Sequence, residues 1–373
     1  MTDLYFLTLT GINIFILVFM CVLVRLNTTL NPEQAKGFLA TFILIVIICI
    51  LELITVLVDG AAVWLRPVNI LSNYLGFGLT PAVPLLMIYT LKSSERDIRI
   101  LKIAVVVEII YMLILLVSLA FGGLVFRVDS SNHYFRERGF HIYMIMYYAG
   151  IVLLLYNMLE MARVFQNRGR ELIYSLSAFI AIGTLVQILI PEIHITWLCV
   201  TIIAVLFYLY CNEMWNQLDG LTGLLSQKSY INKTINYCSE DMLIVMDLDD
   251  FKYINDTYGH LEGDKCLRVI AKYLKTAYSE YGNCYRIGGD EFCVLLKDKK
   301  REISCKEKFY RILEKQRTRN SLLPEVSYGS ALISKEESIL DAKARADKNM
   351  YEDKKAHKMK KALSGNPVFV KQR

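Results

Sequence analysis

What most limits the fold of this chain is a change of character at about Cys211. Before it the sequence is a series of long apolar runs; after it charged and apolar residues alternate at short range. Seven of the runs, near 4–24, 37–58, 70–91, 102–126, 141–162, 172–190 and 195–212, reach the roughly 20 residues a helix needs to cross the hydrocarbon core of a bilayer. The third is broken by Pro81 and Pro84. A hydrophobic content of 54% and a mean hydropathy of +0.37 are too apolar for one ordinary soluble fold. The expectation is therefore a helical membrane bundle over 1–213 and a soluble domain over 214–373.

Lys and Arg in the short connections set the orientation. With the N-terminus outside, the cytoplasmic loops hold nine: Arg25, Lys36, Lys92, Arg96, Arg99, Lys102, Arg163, Arg168 and Arg170. The outer loops hold four: Arg66, Arg127, Arg136 and Arg138. Seven spans then put the C-terminal half of a multi-pass protein in the cytoplasm. The first run lacks a basic n-region and is long enough to span, so no cleaved signal peptide is expected. The nine cysteines show no CxxC pair and no His/Cys metal spacing, which reads as buried free thiols. The net charge of +6 is modest, and the basic run KKAHKMKK (354–361) reads as a solvated helix face or an attraction to anionic lipid. Nothing points to nucleic acid as a partner. Glu52 and Glu108 lie inside spans, where a carboxylate is costly; the sequence assigns neither a role.

In the soluble half, the spacing predicts a helix over 226–237 and a strand Met242–Met246 ending in the acidic run MDLDDFKYIND. A helix Asp264–Tyr278 follows, with Leu267, Ile270, Ala271 and Leu274 on one buried face. Tyr285–Ile287 and Phe292–Leu296 read as a hairpin, followed by a helix near 306–316, a strand 325–333 and a final helix 339–358. That alternation implies a sheet covered by helices. YRIGGDEF (285–292) sets Asp290 and Glu291 directly after Gly288 and Gly289. Alone, it fits a solvated hairpin tip as well as a site. If Asp247, where the first strand leaves the sheet, converges with Asp290 and Glu291, the crowded carboxylates need protons or a cation between them. Oxygen ligands suit Mg²⁺ shared with substrate phosphates, and the glycines would let backbone N–H groups approach those phosphates. That is a phosphoryl-transfer arrangement.

From about Leu218 to Lys358 the chain resembles the GGDEF family of diguanylate cyclases, through DGLTGL (219–224), MDLDDFKYINDTYGHLEGD (246–264), RIGGDEF (286–292), VSYG (326–329) and ADKNMYEDKKAHK (346–358). LGFGLTPAVPLL (75–86) resembles seven-helix sensor regions found ahead of bacterial signalling domains. The resemblance implies an α/β domain of the nucleotidyl-cyclase, palm-like kind, with a central, mostly antiparallel sheet flanked by helices. It implies condensation of two GTP into cyclic di-GMP and two pyrophosphates, with Mg²⁺ or Mn²⁺, by a homodimer regulated by its membrane region and an unnamed sensory ligand. It implies that Asp247, the Leu248 carbonyl and Glu291 bind the metal, and that Asp290 binds metal and accepts the 3′-hydroxyl proton. Asn255 and Asp264 would read guanine, with His260 lining the pocket or serving only as a turn residue. Lys252, Lys354 and Lys358 would meet the phosphates.

Three departures stand out. Ser226–Gln227 replaces the family's usual Asn-Arg, and Lys358 replaces an Arg, turning a bidentate contact into a point charge. Ser279 and Gly282 occupy the usual Arg-x-x-Asp inhibitory positions, so product feedback there is not expected. The competing readings are a catalytically silent GTP-binding module and a receptor or transporter with a regulatory tail.

Overall fold

The computed structural model describes residues 2–91, 95–164, 175, 178–179, 196–235, 241–334 and 336–363. The chain divides into two compact units, Met1–Asn212 and Glu213–Arg373.

The first unit contains α1 (Thr2–Leu26), α2 (Pro32–Val58), α3 (Arg66–Leu79), α4 (Ala82–Leu91), α5 (Glu95–Ala120), the hairpin β1 (Phe126–Val128) and β2 (Tyr134–Arg136), and α6 (Phe140–Val164). The unit boundary falls within α7 (Thr196–Asn216). α2 starts at a full capping box: Asn31 accepts the Gln34 N–H, Gln34 returns the bond, and Pro32 fills a position where a missing N–H costs nothing. Among the described residues, six helical stretches are long and apolar enough to cross a membrane. The expected run at 172–190 lies outside the described residues.

The third stretch, Val63–Leu91, is two helices rather than one. Pro81 can neither donate to the ladder nor fit its ring beside the preceding turn, so α3 ends at Leu79 and α4 begins at Ala82. Pro84 is tolerated because it falls in the first turn of α4, where N–H groups lack intrahelical partners anyway. The fourth run was expected to reach residue 126. α5 stops at Ala120 because Gly122 and Gly123 turn the chain at φ of 91° and 87°, and Phe126 opens β1 instead.

The second unit holds α8 (Gln227–Thr234), β3 (Met242–Leu248), α9 (Phe251–Tyr258), α10 (His260–Tyr278), β4 (Gly282–Arg286), β5 (Glu291–Leu296), α11 (Glu302–Arg317), β6 (Val326–Leu332) and α12 (Ile339–Leu363). The four strands form one antiparallel sheet in the order β4-β5-β3-β6. Strand alternation divides β3 between two cores. Ile244, Met246 and Leu248 pack with Leu267, Ile270 and Leu274 of α10 and Phe309 of α11. Leu243 packs on the other face with Tyr230 of α8 and Ile339 and Ala342 of α12, and Val245 packs there with Ala346. Helices therefore cover both faces of an antiparallel sheet.

α10 carries the expected stripe but begins at His260, four residues before the predicted start. α9 was not anticipated, because its acidic sequence hides the pair Phe251 and Ile254 that it buries. Gly329 brings α12 against the sheet: a Cβ there would collide with the Ala346 carbonyl and the Met350 N–H. This close approach lets the far half of α12 reach the end of β3.

Candidate active site

β3 leaves the sheet at an acidic row. Asp247 lies directly opposite Glu291 of β5 on one side and Ser327 of β6 on the other. Cross-strand partners share a face, so these side chains stand together. The Asp249 N–H donates to the Glu325 carbonyl at 2.9 Å, extending the ladder and setting Asp249 beside Glu325 one row further on. Asp250 then turns the chain into α9 with a left-handed φ of 57°, which Asp tolerates better than most residues.

The loop between β4 and β5 is pinned at two points. The Leu248 N–H donates to the Asp290 carbonyl at 3.3 Å. The Arg286 guanidinium donates to the Gly289 carbonyl at 2.7 and 3.2 Å, and to both Asp219 oxygens at 3.1 and 3.3 Å. Asp219 also accepts from the Thr222 N–H (2.9 Å) and hydroxyl (2.6 Å). Burial acts to raise the Asp219 pKa, but the Thr222 and Arg286 contacts outweigh it and hold the carboxyl below its usual value. One guanidinium thus ties DGLTGL to RIGGDEF, a link that sequence spacing does not disclose. The two glycines differ. A Cβ on Gly288 would meet Glu291 Oε2 at 2.9 Å and Glu291 Cβ at 3.2 Å, whereas nothing lies within 4 Å of one on Gly289. The Gly288 N–H faces the Glu291 carbonyl at 3.4 Å, inside the turn.

α12 meets this row with two residues one turn apart. Lys354 donates to Asp247 Oδ1, and His357 Nδ1 lies 2.8 Å from Asp249 Oδ2. The Ser327 hydroxyl donates to Asp249 Oδ1 at 2.6 Å, and His357 Nε2 is 3.9 Å from Asp353. Burial raises the Asp247 pKa, Asp290 and Asp249 push it the same way, and Lys354 only partly opposes them. Burial acts to lower the Lys354 pKa, but its bond to Asp247 and the charges of Asp249 and Asp290 prevail and raise it. The strand end is a place where positive charge is stabilised. Lys354, expected to face phosphate, is bound to the carboxylate expected to hold metal, so an ion entering there must displace an ammonium.

Asp249, Glu325 and His357 each offer a donor atom within 4.8 Å of the other two, a group able to hold a metal ion. Sequence reasoning missed it, although Asp-Leu-Asp in a strand puts both acids on one face. Glu325 also pairs with Arg317 at 3.2 Å.

α9 and α10 carry the two residues expected to read the base, Asn255 and Asp264. Asn255 Oδ1 is buried and has no hydrogen-bond partner among the described residues. It sits against Gly263, where any Cβ would strike it. Asp264, one residue on, is half-buried in α10; His260 at the helix start, Lys252 in the first turn of α9, and Lys358 on α12 are exposed. A buried amide oxygen without a donor is costly unless a ligand supplies one.

Residues 216–360 match the family model described as "Diguanylate cyclase, GGDEF domain". The probable diguanylate cyclase DgcJ of Escherichia coli (strain K12) is 30% identical over 158 residues, 40% of this chain and 32% of its own. Diguanylate cyclase DgcZ of the same organism is 31% identical over 158 residues, covering 40% of this chain and 53% of its own. Diguanylate cyclase VdcA of Vibrio cholerae serotype O1 is 30% identical over 147 residues, 36% of this chain and 43% of its own. The chain thus spans about a third to a half of the lengths of these relatives. The solved GGDEF domain of DgcB from Caulobacter crescentus, in complex with c-di-GMP, is 28% identical and covers 38% of this chain and 91% of that one, with a TM-score of 0.34.

Proposed function

Because residues 216–360 form a GGDEF domain, we propose that this chain is a membrane-bound diguanylate cyclase that condenses two GTP into cyclic di-GMP and two pyrophosphates. The observation that carries the reading is the register pairing Asp247 with Glu291 at the end of β3. The donor set there is all oxygen, buried at Asp247 and Leu248, half-buried at Asp290 and Glu291, and drawn to positive charge, which fits Mg²⁺ and admits Mn²⁺. Asp247, Glu291, Asp290 and the Leu248 carbonyl would hold the ion, which when bound offsets negative charge on the triphosphate.

The remaining steps belong to the protein's own groups. Asn255 Oδ1 accepts from the guanine N–H edge, which would satisfy its unpaired oxygen, and Asp264 accepts from the same edge. Lys354, released from Asp247, would join Lys252 and Lys358 at the phosphates. Asp290 takes the proton from a 3′-hydroxyl as that oxygen attacks the α-phosphorus of the other GTP and pyrophosphate departs. Repetition in the other direction closes the ring. One domain supplies one nucleotide, so the reaction requires two copies face to face. The charge count of the loops favours an N-terminus outside and this domain in the cytoplasm of a bacterial cell, with the membrane helices controlling alignment of the pair.

The test is product analysis on the full chain in liposomes with GTP and Mg²⁺. The expected result is cyclic di-GMP from the wild type and none from Glu291→Gln. GTP binding without product in both would favour the silent module, a reading that the Lys354–Asp247 pair supports.

A further inference from the structure

The Asp249–Glu325–His357 group has no part in the chemistry assigned to the end of β3. Its members come from three segments: the exit of β3, the residue ahead of β6, and the far half of α12. Two carboxylates and an imidazole make a mixed set of oxygen and nitrogen donors, whereas Asp247, Asp290 and Glu291 offer oxygen alone. That difference selects the ion. Oxygen donors suit Mg²⁺; imidazole suits Zn²⁺ and its neighbours in the first transition row.

The geometry is close to what an ion requires. His357 Nδ1 and Asp249 Oδ2 lie 2.8 Å apart, at hydrogen-bond distance. Two ligands each roughly 2.0–2.1 Å from one Zn²⁺ stand about 3.0–3.4 Å apart, so an ion can replace the shared proton with a small movement of the ring. The other side of the ring is already oriented. Nε2 faces Asp353 Oδ2 at 3.9 Å, and the Tyr328 N–H donates to that same oxygen at 2.9 Å. A carboxylate behind the distal nitrogen is the usual support of a metal-bound histidine. Asp249 is fixed in turn by the Ser327 hydroxyl, which donates to Oδ1 at 2.6 Å. Arg317 steadies Glu325 through Oε1 at 3.2 Å, and the several lone-pair directions of a carboxylate let it serve a guanidinium and a metal together. Solvent reaches the group: the His357 and Glu325 side chains are 25% and 28% exposed, against 4% for Asp249.

We infer that Asp249, Glu325 and His357 form a site for a divalent transition-metal ion, Zn²⁺ foremost, separate from the Mg²⁺ row at Asp247. With three protein ligands, water completes the shell. The ion would clip α12, which carries Lys354, to the ends of β3 and β6. Its bearing on turnover rests on the cyclase reading; the site itself does not, since binding is measured without GTP.

The experiment is Zn²⁺ binding to the full chain in lipid nanodiscs, in excess Mg²⁺ and without nucleotide, read by competition with a chromophoric chelator. One Zn²⁺ per chain is expected to withstand the Mg²⁺. His357→Gln and Glu325→Gln should each weaken it at least about tenfold, with thermal melting of the protein retained. A glutamine at 357 keeps an N–H donor for Asp249, so a mere strut between helix and sheet would survive that change where a metal site would not. Glu291→Gln, which removes a ligand from the oxygen row, should leave the Zn²⁺ affinity within about threefold. Displacement of all the Zn²⁺ by Mg²⁺ would overturn the proposal without recourse to any variant. So would unaltered affinity in a folded His357→Gln or Glu325→Gln chain. A loss with Glu291→Gln as large as that with His357→Gln would also overturn it, by assigning the ion to the oxygen row. The two ligand variants lie on different elements, so failure of one to fold leaves the other to decide. Failure of the cyclase assay leaves these results untouched, and failure here leaves the cyclase reading standing.

Discussion

In the C-terminal unit, Asp247 shares its strand row and the next with Glu291, Asp249 and Glu325, and α12 meets them with Lys354 and His357. In the N-terminal unit, Glu108 is buried with neither carboxylate oxygen hydrogen-bonded among the described residues, and Glu52 stands among aromatic rings. The contrast follows from secondary structure. A strand that alternates Asp-Leu-Asp stacks acids on one face, and neighbouring strands add more. A helix passing through apolar surroundings builds no such row. A crowded set suits multivalent ions and triphosphates.

The comparison breaks most visibly at Glu291. Glu291→Gln should cut cyclic di-GMP formation by on the order of 10³-fold with the fold retained, read by chromatography of the products. Equal turnover would mean that the acidic row is not the catalytic one. The glycines sharpen the same point at smaller scale. Gly288→Ala forces the Glu291 carboxylate aside and should cost on the order of 10- to 100-fold, whereas Gly289→Ala, open on all sides, should cost little. Lys354→Met removes the ammonium bound to Asp247. Mn²⁺ binding in the absence of GTP, followed by paramagnetic resonance, should then tighten several-fold, by about 1 kcal/mol. Unchanged binding would show that the lysine does not compete for the site.

Smaller effects test the scaffold. The Asp219 carboxyl is held below its ordinary pKa, so its link to Arg286 stabilises the fold above the unfolded value, about 3.9. That contribution is lost as pH falls through the lowered folded value. Asp219→Asn should therefore lower the melting temperature of this unit by roughly 2–4 °C near pH 7, with the difference vanishing in strong acid. Last, Ser226 caps α8 by accepting the Ser229 N–H at 3.3 Å. Ser226→Ala should cost about 1 kcal/mol in denaturant unfolding and Ser226→Asn almost nothing. The departure from the family's Asn is thus structurally mild.

Much of the C-terminal unit was legible because turn chemistry and strand alternation write themselves into short motifs. The hairpin, the buried stripe of α10 and the acids at the end of β3 could all be read from spacing. The Arg286–Asp219 tie could not, because its ends are 67 residues apart. The Asp249–Glu325–His357 group was hidden for the same reason, its members arriving from three elements. Gly282 adds a local example: a Cβ there would meet the Leu295 carbonyl at 2.6 Å, a close approach set by strand pairing. The N-terminal unit was legible chiefly as run lengths. Residues such as Phe15, Ile103 and Val117 are as apolar as the interior yet exposed, so hydropathy does not separate inward from outward faces. The break at Pro81 was visible; the rings around Glu52 were not.

Glu291, Asp247 and Ser327 stand in one row across three strands. Sliding β3 by a single position would swing its acid to the opposite side of the sheet and expose Met246 in its stead. No half-shifted arrangement exists between the two. Damage that loosens the ladder anywhere should therefore lower the fraction of competent molecules and leave each survivor with its full rate.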